Sequence, residues 1–175
     1  KQTMYKNIIY IGLGTNLRST SFVSTTKLFN SVIHRINLSG SIRVVDSSNS
    51  WLSLPIPFTA GPLFLNKVLK CINVGNRNIS PKELFNKLAN IEIVLGKKKK
   101  CRHGARLIDI DMLDYGGIIY KDEIVLPHPK LHLRNFVLNP LESIHKDWMH
   151  PSLRLKIPQL RAQIKQHQKL KEITF

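Results

Sequence analysis

Cysteine, acidic and aromatic side chains are all scarce in this 175-residue chain, which has two cysteines, 11 Asp and Glu, and 7% aromatics. Cys71 and Cys101 allow neither a disulfide framework nor a zinc ribbon, so a reducing compartment is expected, and a cytoplasmic (or, in a eukaryotic fusion protein, organellar) location with it. No apolar run approaches the ~18 residues of a membrane span. The polar opening at 1–7 is unlike a cleavable signal, so no membrane association is expected. A Walker-type G-x-x-x-x-G-K-S/T is absent, which excludes a P-loop. Gly12-Leu13-Gly14-Thr15-Asn16 lacks the third glycine of a dinucleotide fingerprint, Leu17 standing in its place. These two glycines are therefore expected to shape a tight strand end.

What is abundant is positive charge: 27 Lys and Arg give a formal net charge of +16. Such a field draws polyanions, from nucleic acid to phosphorylated small molecules. Much of it is equally explained by basic residues spread over the surface, so only those clustered beside a candidate site are informative. With 42% hydrophobic residues, the chain can build one core.

Residues 7–14 read as a buried strand, and Ser19 or Thr20 can cap a helix to about Leu38 carrying Phe22, Phe29, Ile33 and Ile36 at helical spacing. Residues 42–52 and 64–74 read as strands, with a proline-rich loop at 54–62 between them. Ser80-Pro81-Lys82-Glu83 is a capping box with proline at the first helical position, followed by an apolar stripe of Leu84, Leu88, Ile91 and Leu95 and a stop at Gly96. Residues 106–115 alternate with period 2, and Gly116-Gly117 is a hairpin turn into 118–120. A turn and a helix through 136–144 follow, then a basic, weakly amphipathic tail at 154–175. Helices and hairpin-linked strands mix without a βαβ rhythm, which favours α+β.

The chemistry concentrates in Arg102-His103-Gly104-Ala105-Arg106-Leu107-Ile108-Asp109-Ile110-Asp111-Met112-Leu113. On a strand, Asp109 and Asp111 share a face roughly 6.6 Å apart. Two such carboxylates repel unless a cation sits between them, and Mg²⁺, a hard ion that takes carboxylate and phosphate oxygens, fits. Two ions there could clamp a phosphoryl group in displacement. The bland alternative is a solvent-facing strand with two surface acids. The basic loop, with Lys97, Arg102 and Arg106, supplies the complementary charge for a polyphosphate, or is simply solvated. His128 and His132 do not complete a zinc site; His128 reads better as a phosphate contact.

These residues resemble the signature of the 6-hydroxymethyl-7,8-dihydropterin pyrophosphokinase family of the folate pathway: a basic residue, x, Gly, a small residue, Arg, two residues, then Asp-x-Asp. Further matches fall in order along the chain. They are Ile11-Gly12-Leu13-Gly14-Thr15-Asn16-Leu17, Ser53-Leu54-Pro55-Ile56, Phe64-Leu65-Asn66, Ile91-Glu92, Leu95-Gly96, Leu126-Pro127-His128-Pro129 and Arg134-Asn135-Phe136. The resemblance implies a ferredoxin-like α+β fold, a mainly antiparallel sheet covered by helices. It implies a catalytic domain over 1–153, with 154–175 as a basic extension packed on the same domain.

For the site, the resemblance implies that Asp109 and Asp111 hold two Mg²⁺ ions, and that Phe64 and Phe136 sandwich a pterin ring. Asn66 would read the ring's edge, with Ser53 and Ile56 nearby. Glu92, Lys97, Arg102, Arg106, Met112, His128 and Arg134 would contact ATP. Asp111, Arg106, Lys97 and Arg102 would carry the transfer of pyrophosphate from ATP to 6-hydroxymethyl-7,8-dihydropterin, with release of AMP. Lys97 stands where the family usually has Arg and cannot form a bidentate fork; His103 and Ala105 also depart from its pattern. Two rivals remain: a nucleic-acid-binding module using the net charge, which the low aromatic content disfavours, and a simple kinase releasing ADP. A free enzyme and a domain fused to or associated with other folate-pathway enzymes are both open.

Overall fold

Ile9, Ile11 and Leu13 alternate with Tyr10, Gly12 and Gly14 in the first strand, β1 (Ile8–Asn16). The odd positions are almost fully buried in one core and Tyr10 in another. A strand that buries both faces belongs in the middle of a sheet, and β1 lies there. The computed structural model describes residues 7–16, 22–55, 61–96, 107–164, 168 and 170–173.

The remaining elements are α1 (Phe22–Leu38), β2 (Ile42–Ser47), β3 (Ser50–Ser53), β4 (Phe64–Asn73), α2 (Pro81–Val94), β5 (Asp109–Tyr115), β6 (Tyr120–Lys121), β7 (Val125–Leu126), a 3₁₀ turn (Leu131–Leu133), α3 (Asn135–Ile144), α4 (Ile157–Ala162) and β8 (Leu170–Ile173). The main sheet runs β5-β1-β4-β3-β8, with β2 also on β4, and every pairing is antiparallel. β1 and β2 flank β4, while β4 and β5 flank β1, so β1-α1-β2 and β4-α2-β5 are two interleaved split units. That is the ferredoxin-like α+β arrangement expected from the sequence.

Helices cover both faces. Phe29, Val32 and Ile36 of α1 and Leu84 and Leu88 of α2 close one core over Ile9, Ile11, Leu65, Ile110 and Met112. Val137, Leu138 and Leu141 of α3 close the other, with Trp148, Ile157 and Leu160, over Tyr10, Val68 and Leu113. Cys71 lies buried in the first core, where desolvation pushes its thiol up to about 12, so it is inert. Cys101 lies outside the described residues. Among those described, no helix is long and apolar enough to cross a membrane.

Several expectations change. The single strand expected over 42–52 is two, because Ser48 turns its own main chain and side chain onto β4: its N–H donates to the Val68 carbonyl and its Oγ accepts the Val68 N–H. The Gly116-Gly117 turn forms with φ of 59° and 71°, a conformation glycine adopts freely. Yet it does not make a hairpin on β5, since β6 pairs with β7 in a separate two-stranded sheet. The basic tail contains α4 and then β8, which pairs Leu170 with Ser53 and Ile173 with Ser50. The expected cap residues Ser19 and Thr20 lie outside the described residues.

Two buried polar groups fix how the α3 layer sits. Asp114, 2% exposed, accepts hydrogen bonds from Trp148 Nε1 at 2.8 Å and from the Gly117 N–H at 3.0 Å. Burial pushes its pKa up, against the pull of these bonds. It faces this layer because a β-bulge shifts the β1–β5 register between Tyr10 and Ile11. His150, 4% exposed, accepts from the N–H groups of Ser152 and Leu153. Burial and the neighbouring His132 push it down to about 4.

Two stability predictions follow from these contacts. His150 stays neutral in the fold, whereas the unfolded chain takes up a proton near the ordinary value of about 6.5. The stability it carries is complete above that value and is lost as pH falls toward about 4. Urea unfolding from pH 7.5 to 4.5 should show that loss, and His150→Asn should flatten the slope over this window. At the α2 start, Ser80 Oγ accepts the Glu83 N–H and Glu83 Oε2 accepts the Ser80 N–H. Ser80→Ala should therefore cost about 1 kcal/mol in the same assay.

Candidate active site

The register of the three central strands builds the site. Residues paired across antiparallel strands point to the same face. Gly14 of β1 pairs with Asp109 of β5 on one side and Asn66 of β4 on the other; Gly12 pairs with Asp111 and Val68. The two glycines thus form a bare strip between a pair of carboxylates and an amide. They do not end the strand, as the sequence suggested: Gly12 is at its centre, and Gly14 is still followed by two paired residues. A Cβ on Gly12 would meet the Leu113 side chain at 3.3 Å, and one on Gly14 would come 3.6 Å from Asn66 Oδ1.

A cavity of about 400 Å³ lies over this strip. Val68, Leu113 and Val137 give it an apolar base. Phe64 opens β4 on one wall, with Ser53, Leu54 and Pro55 beside it, and Arg134 and Phe136 come from the start of α3. Asp109 and Asp111 both reach it, while Ile110 and Met112 alternate into the opposite core.

Polar atoms in the cavity are oriented. Asn66, 6% exposed, donates from Nδ2 to the Trp51 carbonyl at 3.1 Å and to Ser53 Oγ at 2.9 Å. With both donor positions committed to β3, its carbonyl oxygen is the atom on the cavity side, above Gly14. Arg134 lies 3.9 Å from Asp111 Oδ2, and its guanidinium stands 5.5 Å from the Phe136 ring centroid, a cation–π distance. His128 is held by its N–H to the Leu113 carbonyl at 2.8 Å, and its Nδ1 accepts the Lys130 N–H at 3.2 Å. Burial pushes the His128 pKa down, with Arg134 and Lys130 adding to the effect and Asp111 opposing it. The neutral ring therefore carries its proton on Nε2, a hydrogen-bond donor.

A deep slot with aromatic walls, a fixed amide acceptor and two carboxylates suits a flat heterocycle joined to an anionic, cation-bound group. The sequence matches the model of a protein family described as 7,8-dihydro-6-hydroxymethylpterin-pyrophosphokinase (HPPK) over residues 10–146. The chain belongs to the HPPK family. It is similar to folic acid synthesis protein fol1 of Pneumocystis carinii, with 34% identity over 91% of this chain and 20% of that protein. It is also similar to the 2-amino-4-hydroxy-6-hydroxymethyldihydropteridine pyrophosphokinase of Haemophilus influenzae, with 29% identity over 93% of this chain and 96% of the relative. The chain therefore spans about a fifth of the fungal relative's length but nearly all of the bacterial one's. A crystal structure of HPPK-DHPS in complex with substrates shares the fold, with a TM-score of 0.67 at 11% identity over 91% of this chain and 43% of that one.

Of the HPPK-type residues read from the sequence, the structure brings Ser53, Phe64, Asn66, Asp109, Asp111, His128, Arg134 and Phe136 to one cavity. It does not bring Glu92 or Met112 there. Glu92 is 5% exposed and accepts the Ile110 N–H at 2.7 Å, and Met112 packs in the core. Ile56, Lys97, Arg102 and Arg106, together with His103 and Ala105, lie outside the described residues. Sequence reading missed the role of Gly12 and Gly14 as floor, for which the signal was their spacing of two in a strand. It also missed Lys67 at the rim, whose Nζ donates to the Ser48 carbonyl and whose pKa burial lowers. Among the described residues no group of three or more His, Cys, Asp and Glu is placed to hold a metal ion.

Proposed function

We propose that this chain transfers the pyrophosphoryl group of ATP to the hydroxymethyl oxygen of 6-hydroxymethyl-7,8-dihydropterin, releasing AMP. The observation that carries this reading is the row Asp109–Gly14–Asn66, with a carboxylate pair and an oriented amide acceptor facing each other across a side-chain-free floor. Asn66 Oδ1 accepts from the ring N–H groups of the pterin. Phe64 and Phe136 pack on its faces, a use suited to flat aromatics, and the glycine strip lets the ring sit close to the sheet.

Asp109 and Asp111 fit the role of holding magnesium. They are hard oxygen donors on one strand face, open to the cavity, and an open site that leaves positions for phosphate and water is what Mg²⁺ prefers. When bound there, the ions supply charge neutralisation of the polyphosphate and a lower pKa for the attacking hydroxyl. The chain's own groups do the positioning. Arg134 and the Nε2–H of neutral His128 hold phosphate oxygens, and from the sequence Lys97, Arg102 and Arg106 neutralise the transferred group. The pterin oxygen forms a bond to the β-phosphorus while the bond from that phosphorus to the AMP oxygen breaks, and the hydroxyl proton passes to solvent. Such a transfer depends on alignment and charge more than on a strong base.

Incubation with ATP, Mg²⁺ and the pterin should release AMP; release of ADP would point to a simple kinase, and salt-sensitive RNA binding without turnover to a nucleic-acid module. Asp109→Asn and Asp111→Asn should each lower kcat by about a thousandfold with the melting temperature little changed. Near-normal turnover in both would sink the ion assignment. Gly14→Val, tolerated by a strand but filling the floor, should raise the pterin KM by about tenfold or more. An unchanged KM would remove the ring from this slot.

A further inference from the structure

Helix α2 carries its buried stripe on Leu84, Leu88 and Glu92, four residues apart. The third place of an apolar stripe is thus taken by a carboxylate that is 5% exposed. Leucine there would satisfy the packing, whereas a buried carboxylate carries a desolvation cost that only good hydrogen bonds offset. Its Oε1 accepts the N–H of Ile110 at 2.7 Å, and Ile110 is the residue between Asp109 and Asp111. Among the described residues β5 is the terminal strand of the sheet, so an N–H on its outer edge has no described strand to receive it. A second buried side chain, Thr15, holds the strand's entry, donating from Oγ1 to the Leu107 carbonyl at 2.6 Å.

Resting on the function proposed above, we propose that Glu92 is a positioning residue for the carboxylate pair rather than a nucleotide contact. By fixing the Ile110 peptide from the side opposite β1, it sets the pleat that turns both Asp109 and Asp111 into the cavity. That peptide joins Asp109 to Ile110, so its rotation would turn Asp109 directly and carry Asp111 with it through the next residue. The Thr15 bond keeps the same stretch from sliding along β1, where a slip of one residue would send the carboxylates to the opposite core.

The test compares Glu92→Gln, Glu92→Leu and Glu92→Asp in the intact chain. Three readouts apply: exchange of the Ile110 amide by NMR, Mn²⁺ affinity by EPR with α,β-methylene-ATP present, and kcat and KM. Glu92→Gln keeps an acceptor at the same reach and should retain Ile110 protection, Mn²⁺ affinity and turnover. Glu92→Leu should lose Ile110 protection and weaken both Mn²⁺ affinity and kcat by roughly 10- to 100-fold, with the pterin KM little changed. Should the leucine variant not fold, Glu92→Asp decides: it keeps the charge but falls a methylene short, and should show the same loss of Mn²⁺ affinity. A folded Leu or Asp variant with wild-type Mn²⁺ affinity would overturn the proposal. So would a Gln variant as impaired as Leu, or one raising only the ATP KM, since either points to the charge touching nucleotide. Wild-type protein that binds no Mn²⁺ with the analogue would bring down the functional reading and this one together, before any variant is compared.

Discussion

Antiparallel pairing of β1 on both of its edges is the constraint from which the site follows. Nine residue pairs set β1 against β4, and a second register sets it against β5. Because side chains alternate strictly along a strand, this double registration decides what each face presents. Toward α1 and α2 it presents Ile9, Ile11 and Leu13. Toward α3 it presents Tyr10, then nothing at Gly12 and Gly14. The missing side chains admit a ligand, and the residues paired with them, Asp109, Asp111, Asn66 and Val68, become the groups that meet it. A one-residue slip of β1 would put Leu13 in the cavity, and a one-residue slip of β5 would put the carboxylates in an apolar core.

The two helical layers contribute unequally. α1 and α2 bury the continuous apolar face and give the sheet its rigidity, α2 reaching through Glu92 to the outer edge of β5. The α3 layer is the one that shapes the cavity, lending Arg134, Phe136 and Val137. Its placement is specified by polar contacts: the buried pair of Asp114 with Trp148, which must be satisfied to be tolerable, and the half-buried Gln168, which accepts the Asn135 N–H and donates to the Leu133 carbonyl, both at 2.8 Å. β8, on the outer side of β3, supports the strand that in turn orients Asn66. The tail therefore braces both walls of the cavity.

Local signals were legible in the sequence where they are self-contained. The capping box at Ser80 and Glu83 needs no partner to be read, and α2 begins at Pro81 as that box requires. The same-face placement of Asp109 and Asp111 follows from strand periodicity alone. What depends on a distant partner was hidden. The break at Ser48 exists because β4 offers Val68 to both of its polar groups, and the partner of β6 could not be told from the Gly116-Gly117 turn that precedes it. Glu92, expected at the nucleotide, and Asp114, which carried no local signal, are both buried and bonded inside the protein. Glycines spaced two apart signalled a tight strand end, when their meaning lay in what stands across the sheet from them.

A crystal structure with Mg²⁺, a non-hydrolysable ATP analogue and 6-hydroxymethyl-7,8-dihydropterin would test the central claim most directly. The account predicts the pterin ring lying over Gly12 and Gly14 with its N–H edge on Asn66 Oδ1, and divalent-ion density beside Asp109 and Asp111. A pterin bound elsewhere, or one turned so that no ring N–H faces Asn66, would contradict it.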